Sequence, residues 1–309
     1  MNAPAAPCAQ LPLNDHTGRP LRLDGRVAIV TGAGAGLGRA HAVLLAARGA
    51  KVVVNDLALA SAEAVVAEIN AAGGVALAAA ASVTDEVAVQ AMVAQTLSAW
   101  GRIDILVNNA GILRDKSFAK MTLDDFRLVV DVHLMGAVVC TKAVWDTMRA
   151  QQHGRIVFTT SSSGLFGNFG QANYGAAKMA LVGLMQTLAL EGEKANVRVN
   201  CLAPTAATGM TQGILPPEVL AVLTPESVSP GLLCLVGDDA PTRVILNAGA
   251  GVFASSHIGL TAPVHVGVGP DAPERVAAAW PRITDRHEAS VPESGMAQSM
   301  REVQTALGR

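Results

Sequence analysis

The stretch that decides the fold is Thr31-Gly32-Ala33-Gly34-Ala35-Gly36-Leu37-Gly38. An apolar, β-branched run, Arg26–Thr31, leads into it, and an Ala/Leu-rich segment of helical period, Gly38–Arg48, leaves it. Glycines between a strand and a helix let the backbone turn sharply and approach a pyrophosphate, which then lies at the helix N-terminus. The spacing Gly32-x-x-x-Gly36-x-Gly38 puts three residues after the first glycine, unlike the general dinucleotide fingerprint. Alone, such a turn is a weak signal. Its place in the pattern strengthens it, because Asp56 ends the next apolar run, Lys51–Asn55, twenty residues past Gly36. An acid at that point hydrogen-bonds the adenosine ribose hydroxyls and repels a 2′-phosphate. The competing reading is that Asp56 caps the following helix. No basic residue stands beside it, so NAD is favoured over NADP.

Outward from this turn the same alternation continues. Strand candidates follow at Val75–Ala81, Ile103–Asn108, Arg155–Thr160, Val197–Ala203 and Val244–Asn247, with helix candidates near Ala58–Ala72, Thr84–Trp100, Thr122–Arg149 and Asn173–Ala195. Gly49 and Gly73-Gly74 follow helices as C-caps, and Thr122 precedes Asp124 and Asp125 at a helix start. Strands apolar throughout and separated by helices predict a parallel sheet covered on both faces. The expected fold is one doubly wound Rossmann-type α/β domain with about seven strands. The segment 205–230 breaks the rhythm with Pro216, Pro217 and Pro225, and reads as an irregular substrate loop. Residues 1–20 read as a flexible extension, 21–287 as the domain, and 288–309 as a tail.

Composition narrows the function classes. Half of the 309 residues are hydrophobic, 16% are charged and the net charge is −2, which speaks against nucleic acid or anionic membranes as partners. Arg39, Arg48 and Lys51 interrupt the most apolar region, so no membrane span is expected. Cys8, Cys140, Cys201 and Cys234 are scattered, which suggests neither a disulfide framework nor a metal site. The start carries no secretory pattern, and Ala306-Leu307-Gly308-Arg309 is not a peroxisomal Ser-Lys-Leu signal. The expectation is a soluble, cytoplasmic protein.

Ser161, Tyr174 and Lys178 form a second constellation. Tyr174 and Lys178 are four apart and share a helix face, while Ser161 lies just past the strand ending at Thr160. Alcohol oxidation needs a base for the hydroxyl proton while hydride leaves the carbon. A phenol of pKa about 10 is a poor base near neutrality, and a nearby ammonium is expected to lower it by roughly 1–3 units. A serine hydroxyl holds the substrate oxygen. The competing reading is an ordinary Tyr–Lys surface pair. Tyr174 is the only tyrosine in the chain.

With both constellations in order, the sequence resembles the short-chain dehydrogenase/reductase family from about Leu21 to Asn247. The matching motifs are the glycine turn, Asn108-Asn109-Ala110-Gly111, and Tyr174-Gly-Ala-Ala-Lys178 with Ser161 thirteen residues earlier. The stretches Asn108–Phe118, Val132-His133-Leu134, Gly167–Tyr174, Gly249-Ala250-Gly251 and Ala278–Trp280 are similar to a narrower group. That group is the (3R)-hydroxyacyl-CoA dehydrogenase domains of peroxisomal multifunctional enzymes, also called 17β-hydroxysteroid dehydrogenases. The resemblance implies an NAD-dependent oxidoreductase converting (3R)-3-hydroxyacyl-CoA to 3-ketoacyl-CoA. It also implies a homodimer or homotetramer paired through the helices 122–149 and 173–195. Cofactor contacts implied beyond the turn and Asp56 are Leu57, Asn109, Ala110, Gly111, Tyr174 and Lys178, with Ser82-Val83 in place of the family's Asp-Val and Pro204-Thr205 in place of Pro-Gly. His133 stands where most of the family has asparagine. It reads either as support for the lysine through a water or as a core histidine. Phe166, Phe169, Met210, Ile214 and Leu215 are substrate-pocket candidates or simply core. Arg114 and Lys116 are candidates for CoA phosphates or solvent-facing cations. A hydroxysteroid or other bulky alcohol is the alternative substrate, and a non-enzymatic dinucleotide-binding regulator the alternative function.

Overall fold

A computed structural model describes residues 21–207 and 216–308. The chain divides after Ala254 into two compact units. The larger contains the alternating elements. The strand β1 (Val27–Val30) runs into α1 (Gly36–Ala47), followed by β2 (Lys51–Asp56), α2 (Leu59–Ala71), β3 (Val75–Ala80), α3 (Glu86–Trp100) and β4 (Ile105–Asn108). After β4 come α4 (Leu123–Val130) and α5 (Gly136–Ala150), joined by a π turn at Asp131–Met135. Then follow β5 (Gly154–Thr159), the short α6 (Ser162–Phe166), α7 (Ala172–Gly192), β6 (Val197–Thr205), α8 (Pro217–Val222), α9 (Ser229–Val236), β7 (Ile245–Gly249) and β8 (Val252–Ser256).

The strands form one sheet in the order β3-β2-β1-β4-β5-β6-β7-β8. The first seven are parallel, in register pairs such as Ile29 with Val53 and Val107 with Val157. Only Ala250 and Gly251 connect β7 to β8, both at positive φ (52° and 73°), and a two-residue link of this kind makes an antiparallel hairpin. The sheet thus has eight strands where about seven were expected.

Successive residues of a strand face opposite sides, so one sheet feeds two cores. Ile29, Leu106, Ile156 and Phe158 pack with Val89, Val144, Met148, Leu181 and Met185 from α3, α5 and α7. Ala28, Val30, Val52, Val107 and Val157 pack with Leu45, Val65, Ile69 and Leu232 from α1, α2 and α9. Burial on both faces is why these strands are apolar throughout. The helical stretch Leu123–Ala150 has the length and hydropathy of a spanning helix. Cys140, Val144, Trp145 and Met148 are nevertheless buried in the core, where α5 meets α3 and α4 meets α7.

Part of the segment read as an irregular loop is helical. Pro217 opens α8 and Pro230 lies in the first turn of α9, where a missing N–H costs nothing. The second unit carries α10 (Ala272–Ile283), an antiparallel bridge between Leu260 and Ser290, and α11 (Gly295–Ala306), capped by Ser294 through Ala297 N. The sequence pattern fades over that last helix, which lies in the region read as a tail.

Candidate active site

The strand order reverses between β1 and β4, and the crevice at their carboxyl ends is where open α/β sheets bind ligands. There the turn after β1 and the loop after β4 are stitched together. Asn109 Nδ2 donates to the carbonyls of Thr31 (3.0 Å) and Gly32 (3.1 Å), while Thr31 Oγ1 accepts from Asn109 N (3.0 Å) and Ala110 N (3.1 Å). Gly32 has φ +60°, and a Cβ there would lie 2.8 Å from Ala110 Cα. A Cβ on Gly38 would lie 2.3 Å from the Gly32 carbonyl oxygen. These positions therefore demand glycine. The N-cap of α1 is Ala35, which offers no side-chain cap, and the first turn holds no acid. Its free N–H groups suit an anionic pyrophosphate.

Asp56 ends β2. One carboxylate oxygen accepts from Gly34 N at 3.0 Å and the other from Ala58 N at 3.1 Å. The side chain thus orients both the glycine turn and the entry to α2, and lone pairs remain for ribose hydroxyls.

Ser161 caps α6 just beyond β5, and its Oγ accepts from Ser163 N at 3.2 Å. Tyr174 and Lys178 project from α7. Lys178 is fully enclosed: Nζ donates to the Thr159 carbonyl at 2.6 Å and lies 5.5 Å from the centre of the Tyr174 ring. Burial pushes Lys178 down to about 7. Burial holds the Tyr174 phenol above its ordinary value, opposed by a hydrogen bond with Ser161 and reinforced by the Asp115 carboxylate.

His133 sits in the π turn, a helical irregularity frequent at functional sites. Its ring meets that of Tyr174 edge-on at 5.1 Å, and Nε2 lies 3.0 Å from Ile112 N and 2.7 Å from Ile112 O. Burial, then the Lys178 charge, push His133 down to about 3, with the Ile112 backbone partly offsetting them. The imidazole is therefore neutral near pH 7. His133, Asn108, Thr31 and Lys178 border a cavity of about 10 Å³, the size that holds one water.

One cleft of about 630 Å³ brings together Gly32, Gly36, Leu37, Gly38, Asp56, Leu57, Ser82, Val83, Asn109, Ala110, Gly111, His133, Ser161, Tyr174, Lys178, Pro204 and Thr205. Asp56, beside the glycine turn, suits the adenosine of a dinucleotide, and Tyr174, beside Ser161 and Lys178, suits the nicotinamide side. The residues present therefore fit that cofactor. Phe166 and Phe169 do not line this cleft and are 73% and 91% exposed, while Met210, Ile214 and Leu215 lie outside the described residues. Arg114 donates to the Leu113 carbonyl, and Lys116 pairs with Asp125 at 2.9 Å. Gln171 also lines the cleft and was missed. Its signal was its place one helical turn before Tyr174.

The family model of the short chain dehydrogenase matches residues 26–218. The peroxisomal multifunctional enzyme type 2 of Mus musculus is 44% identical over 287 residues, covering 89% of this chain and 39% of the relative. The 3-oxoacyl-[acyl-carrier-protein] reductase of Synechocystis is 44% identical over 72% of this chain and 93% of its own length. Among solved structures, the full-length peroxisomal multifunctional enzyme type 2 of Drosophila melanogaster aligns with TM-score 0.79 and 40% identity, covering 93% of this chain and 50% of that one. The chain spans between 30% and 63% of the length of the animal, yeast and Dictyostelium multifunctional relatives it matches. Mouse, Drosophila, yeast and Dictyostelium relatives are all peroxisomal by name, which overturns the cytoplasmic expectation.

Proposed function

Because the chain belongs to the short-chain dehydrogenase family, we propose that it oxidises (3R)-3-hydroxyacyl-CoA to 3-ketoacyl-CoA with NAD. Membership makes it a nicotinamide-dinucleotide-dependent oxidoreductase. The substrate reading rests on its likeness to the multifunctional enzymes, whose yeast counterpart is named a hydratase-dehydrogenase-epimerase. The peroxisome is the compartment those names point to.

A bound nicotinamide dinucleotide would supply a hydride acceptor for the substrate carbon. The α1 N-terminus and glycine turn would hold its pyrophosphate, and Asp56 its ribose. Ser161 and Tyr174 hold the substrate oxygen between them, and Tyr174 Oη takes the hydroxyl proton. Lys178, anchored on the Thr159 carbonyl, sits beneath the ring. His133 supports Lys178 across the small cavity they share. Asp56 repels a 2′-phosphate, so NAD is preferred at least tenfold in kcat/KM, about 1.4 kcal/mol.

The test is a panel of (3R)- and (3S)-3-hydroxyacyl-CoA and hydroxysteroids, each with NAD and NADP. Turnover of the (3R) epimer with NAD is expected. Steroid turnover without either acyl-CoA epimer rejects the substrate, and equal use of both cofactors rejects the role of Asp56.

A further inference from the structure

We propose that Gln171, oriented by Asp115 and Ser163, reads a carbonyl beside the reacting alcohol and so selects 3-hydroxyacyl groups over plain secondary alcohols. This deepens the proposed function and rests on it. Gln171 is the residue before α7, on the cleft wall and one turn before Tyr174. Its backbone is non-helical (φ −122°, ψ 38°), so it stands at the helix entrance three residues before Tyr174, and both side chains border the same cleft.

The amide is held by three partners whose chemistry fixes which way it points. The Asp115 carboxylate can only accept, so the amide nitrogen faces it: Nε2 donates to Asp115 Oδ2 at 2.7 Å. The amide oxygen accepts from Ser163 Oγ at 2.7 Å and from Asn168 Nδ2 at 3.0 Å. The loops bearing these partners are tied together, since Lys116 N donates to the Gly170 carbonyl at 2.9 Å and Asn173 Nδ2 to the Arg114 carbonyl at 3.2 Å.

Such fixing uses both lone pairs of the oxygen and one hydrogen of the nitrogen. The second N–H has no acceptor among the described residues. A 3-hydroxyacyl thioester carries a carbonyl oxygen two carbons from the carbinol, within reach of a glutamine rooted one turn before Tyr174. That oxygen takes the remaining N–H while Ser161 and Tyr174 hold the hydroxyl. A plain alcohol leaves it unused. The same network continues to the catalytic serine, because Ser163 N donates to Ser161 Oγ.

The test compares 4-hydroxy-2-pentanone with 2-pentanol, which differ by the carbonyl alone, and reads the ratio of their kcat/KM values. The wild-type ratio should exceed one. Gln171→Leu should lower it roughly five- to tenfold, the loss of one net hydrogen bond. Asp115→Ala should lower it too, by freeing the amide, whereas Asp115→Asn keeps an acceptor and should hold it within about twofold. A merely structural role would change both substrates alike and leave the ratio fixed. An unmoved ratio in both Gln171→Leu and Asp115→Ala, or a wild-type protein that does not favour the hydroxyketone, overturns the proposal. If the ratio responds but wild type leaves 3-hydroxybutyryl-CoA untouched, the acyl-CoA reading fails and the role of Gln171 stands.

Discussion

A phenol enclosed beside a buried lysine is pulled in two directions. The Tyr–Lys spacing suggested that an ammonium would bring Tyr174 below 10. The structure corrects this for the protein alone, because burial raises the phenol while holding Lys178 to about 7. At the alkaline pH where a phenol ionises, Lys178 has already lost its charge and stabilises no phenolate. We expect the near-ultraviolet tyrosinate transition, unblurred by any second tyrosine, above a free phenol's value of about 10 in the free protein. Asp115→Asn should move it down by removing a facing negative charge. NAD should also lower it, since oxidised nicotinamide is positive. Tyr174→Phe should abolish the signal and nearly all turnover while leaving NAD binding largely intact, because the glycine turn and Asp56 are untouched. A free-protein transition below a free phenol's value, raised by Lys178→Ala, would show instead that the ammonium prevails. Ser161, Tyr174 and Lys178 were legible because their chemistry is tied to spacing. The direction of the phenol's shift was not, because burial is a property of the packed helix.

Between residue and element stands the π turn. It is invisible in the periodicity of 122–149, yet it carries His133 towards Tyr174 and Lys178. Gly111, from the loop after β4, closes against it: a Cβ there would lie 2.2 Å from His133 Cε1. Gly111→Ala should displace the imidazole and cost about 1–3 kcal/mol of stability. We expect kcat to fall at least tenfold, at about 1.4 kcal/mol per decade. His133→Asn, placed in the Gly111→Ala background, relieves the crowding and should recover part of that loss. Additive losses in the double variant would separate the two positions. The same contrast governs the fold. Strands β1, β2, β4, β5 and β6 announce themselves by apolar runs largely buried on both faces, while β3, at the sheet edge, keeps an apolar run that is only partly buried. β8, with the pattern Val252-Phe253-Ala254-Ser255-Ser256, is largely exposed and lacks that run; only the Ala250-Gly251 turn marks it. α9 was hidden because the segment read as irregular ran to Pro230, which lies in its first turn, while Pro225, read as a breaker, opens a short 3-10 turn just before it.

At the scale of the molecule, three histidines among the described residues are enclosed where charge is disfavoured. His41, 0% exposed on α1 with Nδ1 2.8 Å from Ser229 Oγ, is held down to about 3 by burial. His133 is also held to about 3, and His153 to about 4 by burial and then by Arg155 and Arg26, against Asp104 and Asp238. Each is neutral when folded and binds a proton near pH 6.5 when unfolded, so the unfolded state gains protons first as pH falls. The contribution of these histidines is therefore full above about pH 6.5 and declines as acid is added, until the folded values are reached. Asp104 acts lower down. Burial alone would raise it, but hydrogen bonds from Arg102, Val27 N and Arg26 outweigh that and hold the carboxyl below its ordinary range. Its contribution is present above its unfolded value and is lost only below it, which leaves the range above about pH 4 to the histidines. Between about pH 7 and pH 5.5 each histidine should cost roughly 1 kcal/mol, about 3 kcal/mol together. His41→Gln keeps a partner for Ser229 but cannot titrate. Urea melts of that variant at the two pH values should show about a third less acid loss than wild type. An unchanged loss would mean that His41 is already protonated in the fold, or stays neutral in the unfolded chain, and that its enclosure between α1 and α9 does not set the acid limit.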